Sequence, residues 1–184
     1  AEYLQSVTGT PFVYLPPYGY SQTTEFLKSV AAVINKPVKE AVLQRLEEKN
    51  RRLKMLLNSP LMSRTPGTVF LKGDYDTVKG LGAFFKELRF NVAHSVCAHK
   101  ISGTAAEDIE YFKEEKEYLQ LLKDIHHCLV LADEDTIAKA DATNFKICVS
   151  HPCFSHRTIA NHLPFMGEWG ADMLFEYIQQ YVNM

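Results

Sequence analysis

The 184-residue chain has no apolar run near the ~20 residues needed to span a bilayer, which excludes a membrane helix. The start has no basic cluster followed by an apolar core, so nothing reads as a signal peptide. Its formal net charge is −2, without the basic excess of a typical nucleic-acid binder. None of the four cysteines, Cys97, Cys128, Cys148 and Cys153, forms a Cys-x-x-Cys pair, so zinc-ribbon or dithiol redox spacing is missing. Three of them fall in or at the ends of expected strands, as small buried apolar residues do; together these features fit a reduced, cytoplasmic protein. Neither Gly-x-Gly-x-x-Gly nor Gly-x-Ser-x-Gly occurs, which removes the dinucleotide fingerprint and the nucleophile elbow. Repeats and low-complexity tracts are absent as well.

What is present is organised around residues 68–88. Val69, Phe70 and Leu71 are an apolar run long enough for a strand and too short for a helix, and Gly73 ends it. Asp76 reads as a helix N-cap, after which Val78, Leu81, Phe84, Phe85 and Leu88 recur on one helical face. Strand, acidic turn and amphipathic helix make the opening of an α/β unit, with residues 73–77 beyond the carboxyl end of the strand, where such folds bind ligands. Asp74 and Asp76 there would repel a phosphate.

Further strands are expected at 92–97, 128–132 and 145–149, with a helix of about twenty residues carrying Ile109, Phe112, Leu119 and Leu122. Alternation of this kind predicts a three-layer, Rossmann-like α/β fold: a parallel sheet of about four to five strands with helices on both faces. Residues 10–14 read as an extra strand, 22–34 and 38–57 as helices, and 60–67 as a linker. The charges of the second helix, from Lys39 to Arg52, read as a solvated face with four-apart pairs. Trp169, Met173, Leu174, Tyr177, Ile178, Tyr181 and Val182 place a terminal helix on one apolar face. The abrupt start suggests a piece of something longer. The expected division is 1–60 as the end of a preceding domain with long crossing helices, and 61–184 as a Rossmann-like C-terminal domain with its terminal helix.

Candidate chemistry collects in two loops after the last strand. His151, Cys153, His156 and His162 are dense enough to consider a metal, but their spacing matches no recognised site, and solvated or capping histidines are the simpler reading. Asp133, Glu134 and Asp135 read as a cap for the helix that follows, and His126-His127 as cations at a helix end.

The order of motifs resembles the C-terminal part of the component 1 subunits of nitrogenase and nitrogenase-like oxidoreductases. Gly9-Thr10-Pro11, Tyr18-Gly19 and Thr24-Glu25-Phe26-Leu27 are similar to that family's entry segment. Asn35-Lys36-Pro37-Val38 with Glu48 and Arg51-Arg52 resembles its crossing helix, and Gly73-Asp74-Tyr75-Asp76 with Glu87-Leu88-Arg89-Phe90 its Gly-Asp-Pro-Asp unit. Pro152-x-Phe154 and Pro164-Phe165-Met166-Gly167-x-x-Gly170-Ala171 resemble its closing motifs.

The resemblance implies a domain of a component 1 oxidoreductase that lines a metallocluster or substrate cavity. Electrons would come from an ATP-dependent iron–sulfur reductase, and a homologous component 1 subunit would be the partner in a homo- or hetero-oligomer. An iron–sulfur-type cluster is expected in the full-length parent and none on this piece alone. His151, Cys153, His156, Met166 and Glu168 would line the cavity; no catalytic residue and no dedicated metal ligand is assigned.

Met166 stands where the catalytic subunit of the molybdenum-type enzyme has a cofactor-binding histidine, and Ser155-His156 replace an Asp-Arg pair. These departures point to a divergent nitrogenase-like subunit or a ligand-lacking partner subunit. The alternatives are a non-catalytic cofactor-assembly scaffold and a small-ligand-binding module of the same fold that uses Asp74 and Asp133.

Overall fold

The computed structural model describes residues 2–59, 67–97, 99–100, 108–112, 114–150 and 165–183. Helices α1 (Glu2–Thr8), α2 (Gly19–Val33) and α3 (Glu40–Leu57) precede an alternating series. That series is β1 (Thr68–Gly73), α4 (Tyr75–Glu87), β2 (Asn91–Cys97), β3 (Glu110–Tyr111), α5 (Glu115–Lys123), β4 (Leu129–Ala132), α6 (Glu134–Lys139) and β5 (Phe145–Cys148). Helix α7 (Gly167–Val182) ends it. The strands form one five-stranded sheet in the order β3-β2-β1-β4-β5, and every pairing is parallel.

The period of two along β1 sorts the core. Val69 and Leu71 point to one face, where they join Leu129, Leu131 and Ile147 and the inward residues of α2, α3, α4 and α7. Phe70 points to the other face with Val96, Val130 and Ala132, under Tyr118 and Leu122 of α5 and Ile137 of α6. The change of face follows from topology. Strand order runs one way from β1 to β3 and reverses from β4 to β5, and right-handed crossovers must then switch sides. Lys72 follows the same alternation onto the α5/α6 face, which puts a cation inside a mostly apolar layer.

Its ammonium is answered there by Asp133, at 2.6 Å, by the Thr136 hydroxyl at 2.8 Å, and by the Tyr118 hydroxyl at 3.2 Å. The Lys72 side chain is 16% exposed and that of Asp133 is 5%. Burial is the largest single influence and opposes the charge on both groups, but their mutual hydrogen bond, the bonds from Tyr118 and Thr136 and the charge attraction together outweigh it: the Asp133 carboxyl is held below its usual range and the Lys72 ammonium above its own.

The expected parallel α/β sheet with helices on both faces is present, at the upper end of the strand count. Four local expectations are corrected. Asp74, not Asp76, caps α4, because its extended backbone lets its carboxylate accept from the Thr77 amide at 2.9 Å; Asp76 lies inside the first turn. Residues 10–14 lie in no strand; Pro11 lacks an amide donor, and no neighbouring strand pairs with them among the described residues. The long helix expected through Ile109 and Phe112 is instead β3 followed by the shorter α5. Ile109 and Tyr111 face one side of the sheet and Phe112 the other, a strand period that three-residue spacing disguised. Trp169, expected on the buried face of α7, is 71% exposed.

Asp133→Ala strands a half-buried ammonium, whereas Asp74→Ala removes only a cap. Urea unfolding should show a loss of about 3 kcal/mol for the first and about 1 kcal/mol for the second. Equal losses would show that Lys72 needs no counter-charge.

Candidate functional site at the carboxyl edge of the sheet

Strands β1 and β4 are neighbours whose chains depart in opposite directions, which makes the edge beyond Gly73 and Ala132 the topological switch point, where folds of this kind receive ligands. At this edge, Ser150 beyond β5 donates to the Lys72 carbonyl at 3.3 Å. Gly73 permits this closure, since a Cβ there would lie 3.3 Å from Ser150 Cβ.

Residues 14–18 run over this edge as a strap. The Tyr14 hydroxyl donates to Asp76, and its ring lies 5.3 Å from the Lys79 ammonium. Burial, reinforced by the Asp76 hydrogen bond, raises the Tyr14 hydroxyl well above the ordinary tyrosine range. The Tyr18 hydroxyl donates to Thr77 at 3.2 Å, and the Thr77 hydroxyl donates in turn to Asp74 at 2.9 Å. Gly80 lets the Tyr18 ring lie directly on α4, since a Cβ there would fall 2.1 Å from the ring. At the far end, the Pro17 carbonyl accepts from the Gly167 amide at 2.8 Å, joining the strap to the start of α7.

Helix α7, like α2, begins without a side-chain cap and on a left-handed glycine. Its N-cap is Met166, which supplies no capping side chain. Gly167 has φ +74°, a left-handed conformation that glycine adopts freely. The compensation comes from α3. Arg45 grips Glu168 with two parallel bonds of 2.8 Å, and Lys49 reaches the same carboxylate at 2.9 Å. One turn on, Asp172 accepts from Lys49 and, at 2.7 Å, from the Tyr20 hydroxyl of α2. The hydrogen bond from Arg45, followed by that from Lys49, holds the Glu168 carboxyl at about 2.

Of the residues expected to line a cavity, Met166 sits at the lip of this edge, 41% exposed, and Glu168 is turned toward α3. His151, Cys153 and His156, with His162, lie outside the described residues. Asp74 and Asp133, the acidic strand ends, are both engaged as caps with a threonine three residues on. The solvated face expected on α3 holds for the Glu48–Arg52 pair, but Arg45 and Lys49 bind α7 and Lys54 binds Glu87 of α4.

Iron–sulfur clusters are held by thiolates. The described thiols do not make such a seat. Cys97, Cys128 and Cys148 are buried on separate strands or strand ends, and each donates to a nearby carbonyl, that of His99, His126 and Ser150 respectively. Burial raises the Cys128 thiol, and no grouping of three His, Cys, Asp or Glu side chains suits a metal among the described residues. The described part of the edge is a wall, built of strap, strand ends and helix start, rather than a set of cluster ligands.

Fold and edge together define a parallel α/β domain whose switch point is bordered by an N-terminal strap. The family model for nitrogenase component 1 type oxidoreductases matches residues 1–182, and the chain belongs to that family. Its fold is similar to a solved structure titled "Nitrogenase Cp1 at pH 6.5", with a TM-score of 0.77 at 20% identity. That match covers 100% of this chain and 42% of the other, so the chain spans about two fifths of the length of the protein it resembles. Among curated proteins no sequence matches this one. Among the described residues no helix is long and apolar enough to cross a membrane.

Sequence reasoning missed the strap and the Arg45–Glu168 clamp. One signal was available for the strap: Gly80 inside an otherwise good helix marks a close approach.

Two outcomes follow from this geometry. Gly80→Ala should drive the Tyr18 ring off α4, lowering stability by about 1–2 kcal/mol and speeding limited proteolysis between residues 10 and 18; unchanged cleavage would mean that the strap is not seated by that contact. Because the folded carboxyl of Glu168 is depressed, its stabilisation is full above its ordinary value of 4.5 and lost as pH falls through about 2. The stability difference between the parent and Glu168→Gln should accordingly be level near neutral pH and shrink across that acid window, as read by urea midpoints at stepped pH.

Proposed function

We propose that this chain is the C-terminal part of a nitrogenase-like component 1 oxidoreductase and forms one wall of a metallocluster or substrate cavity. The observation that carries this reading is the family match over nearly the whole chain. The geometry is compatible with a wall, since the strap, the β1 turn and the start of α7 converge on the sheet edge where α/β folds receive ligands. In this reading residues 1–60 are the end of a preceding domain, whose helices α2 and α3 lie against the C-terminal domain of residues 61–184.

The parent would be cytoplasmic, would pair with a homologous component 1 subunit, and would accept electrons from an ATP-dependent iron–sulfur reductase. Its iron–sulfur-type cluster would supply the redox chemistry. This chain's residues would contribute shape and environment: Met166 as an apolar thioether at the lip, and His151, Cys153 and His156 as the polar side of the cavity. Glu168 would contribute by holding the helix start from which Met166 projects.

A second reading, a non-catalytic scaffold that carries a cofactor during assembly, is favoured by Met166. Thioether is a poorer ligand than imidazole for a borderline iron centre.

Iron and sulfide analysis with a visible spectrum, on the whole protein purified without oxygen, separates the readings. The redox role requires stoichiometric iron and cluster absorption. An iron-free protein, even after cluster reconstitution, would reject it and leave the scaffold or a binding module.

A further inference from the structure

We propose that Arg45 is a positioning residue for Met166, acting through Glu168: the α3 clamp sets how far the α7 lip stands open. The inference deepens the reading of Met166 as a wall residue and rests on it for its meaning.

The N-cap residue of α7, Met166, supplies no capping side chain, and the first residue, Gly167, is in the left-handed region that glycine, the most freely rotating residue, adopts readily. Two external contacts anchor the first turn. The Pro17 carbonyl binds the Gly167 amide, and Arg45 with Lys49 binds the Glu168 carboxylate. Met166 immediately precedes both anchors, so its thioether goes where they place the helix start.

Geometry distinguishes this clamp from an ordinary surface pair. Arg45 is bidentate on Glu168, a planar fork that fixes orientation as well as distance. Lys49 bridges Glu168 to Asp172 one turn further along α7. Asp172 also takes the Tyr20 hydroxyl, so α2, α3 and α7 share one polar knot. A shift of α3 along its axis is thereby passed to the lip, and a ligand that needs Met166 at a given place selects one α3 setting.

The readout is methionine chemistry, which needs no cluster. Hydrogen peroxide oxidises exposed thioethers to sulfoxides, and peptide mass spectrometry resolves the sites. Met55, 63% exposed on α3 and ten residues beyond Arg45, serves as the internal reference. On the whole protein, Arg45→Met and Glu168→Ala should each raise the Met166-to-Met55 oxidation ratio about threefold, and Arg45→Lys should stay closer to the parent than Arg45→Met. The Arg45 side chain is 52% exposed, so its replacement leaves the core intact even if Glu168→Ala disturbs folding.

A ratio unchanged in Arg45→Met, with cooperative unfolding retained, overturns the proposal, as does Arg45→Lys behaving like Arg45→Met. A merely stabilising pair would lower the melting temperature and leave the ratio alone. Absence of iron from the parent would remove the redox reading while leaving this ratio readable.

Discussion

A single ion pair decides how this sheet is assembled. Lys72 is carried by strand alternation into the layer between the sheet and α5/α6, and Asp133, at the carboxyl end of the neighbouring strand, supplies the counter-charge for that placement. The pair joins β1 to β4 at the point where strand order reverses. It also shares Thr136 and Tyr118, so the α5 and α6 helices are registered against the same ammonium. Buried pairs rarely exceed a well-packed apolar substitute in stability. What this one contributes is definition, because a register slip in β1 would send Lys72 to the other face, away from its partner.

The two faces are built differently. One is thin, with α5 and α6 laid on Phe70, Val96 and Val130. The other is deep, with α4 and α7 on the sheet and α2 and α3 joined to the same cluster through Tyr20, Leu46, Leu53 and Leu57. The deep side is where polar contacts cross between helices: Asn50 to Ser21, Ser21 to Glu87, and Arg45 and Lys49 to α7. These contacts bind the N-terminal helices to the Rossmann-like part, so the sheet edge, the strap and the α7 lip are linked through α2 and α3.

Architecture was legible wherever burial was simple. The runs at Val69–Leu71 and Leu129–Leu131 are buried on both faces, and uninterrupted apolar sequence is the mark of such strands. Less was readable where one residue serves two elements. Ile109 and Phe112 have helical spacing but face opposite sides of an edge strand. Asp76 reads as the cap on paper, and only backbone conformation, extended at Asp74, gives the role to Asp74 instead. Arg45 and Glu168 are 123 positions apart, beyond any local pattern. Trp169 fits the apolar stripe of α7 by spacing, yet its side chain is exposed while Gly170 and Ala171 next to it are buried. The family resemblance was legible because it depended on the order of many short motifs, none of which had to be decisive.

The two-residue strand β3 has a consequence for life in a crowded solution. An open parallel sheet ends in strands whose backbone groups can recruit another chain. Here one margin ends in a two-residue strand, held through His94 and Glu110 at 2.9 Å. It pairs with Val96 and Cys97 at the carboxyl end of β2, and among the described residues no strand lies beside the rest of that seven-residue strand on this margin. So small a piece offers an intruding strand little ladder of its own, and any self-templated association would start from the amino-terminal part of β2 beside it.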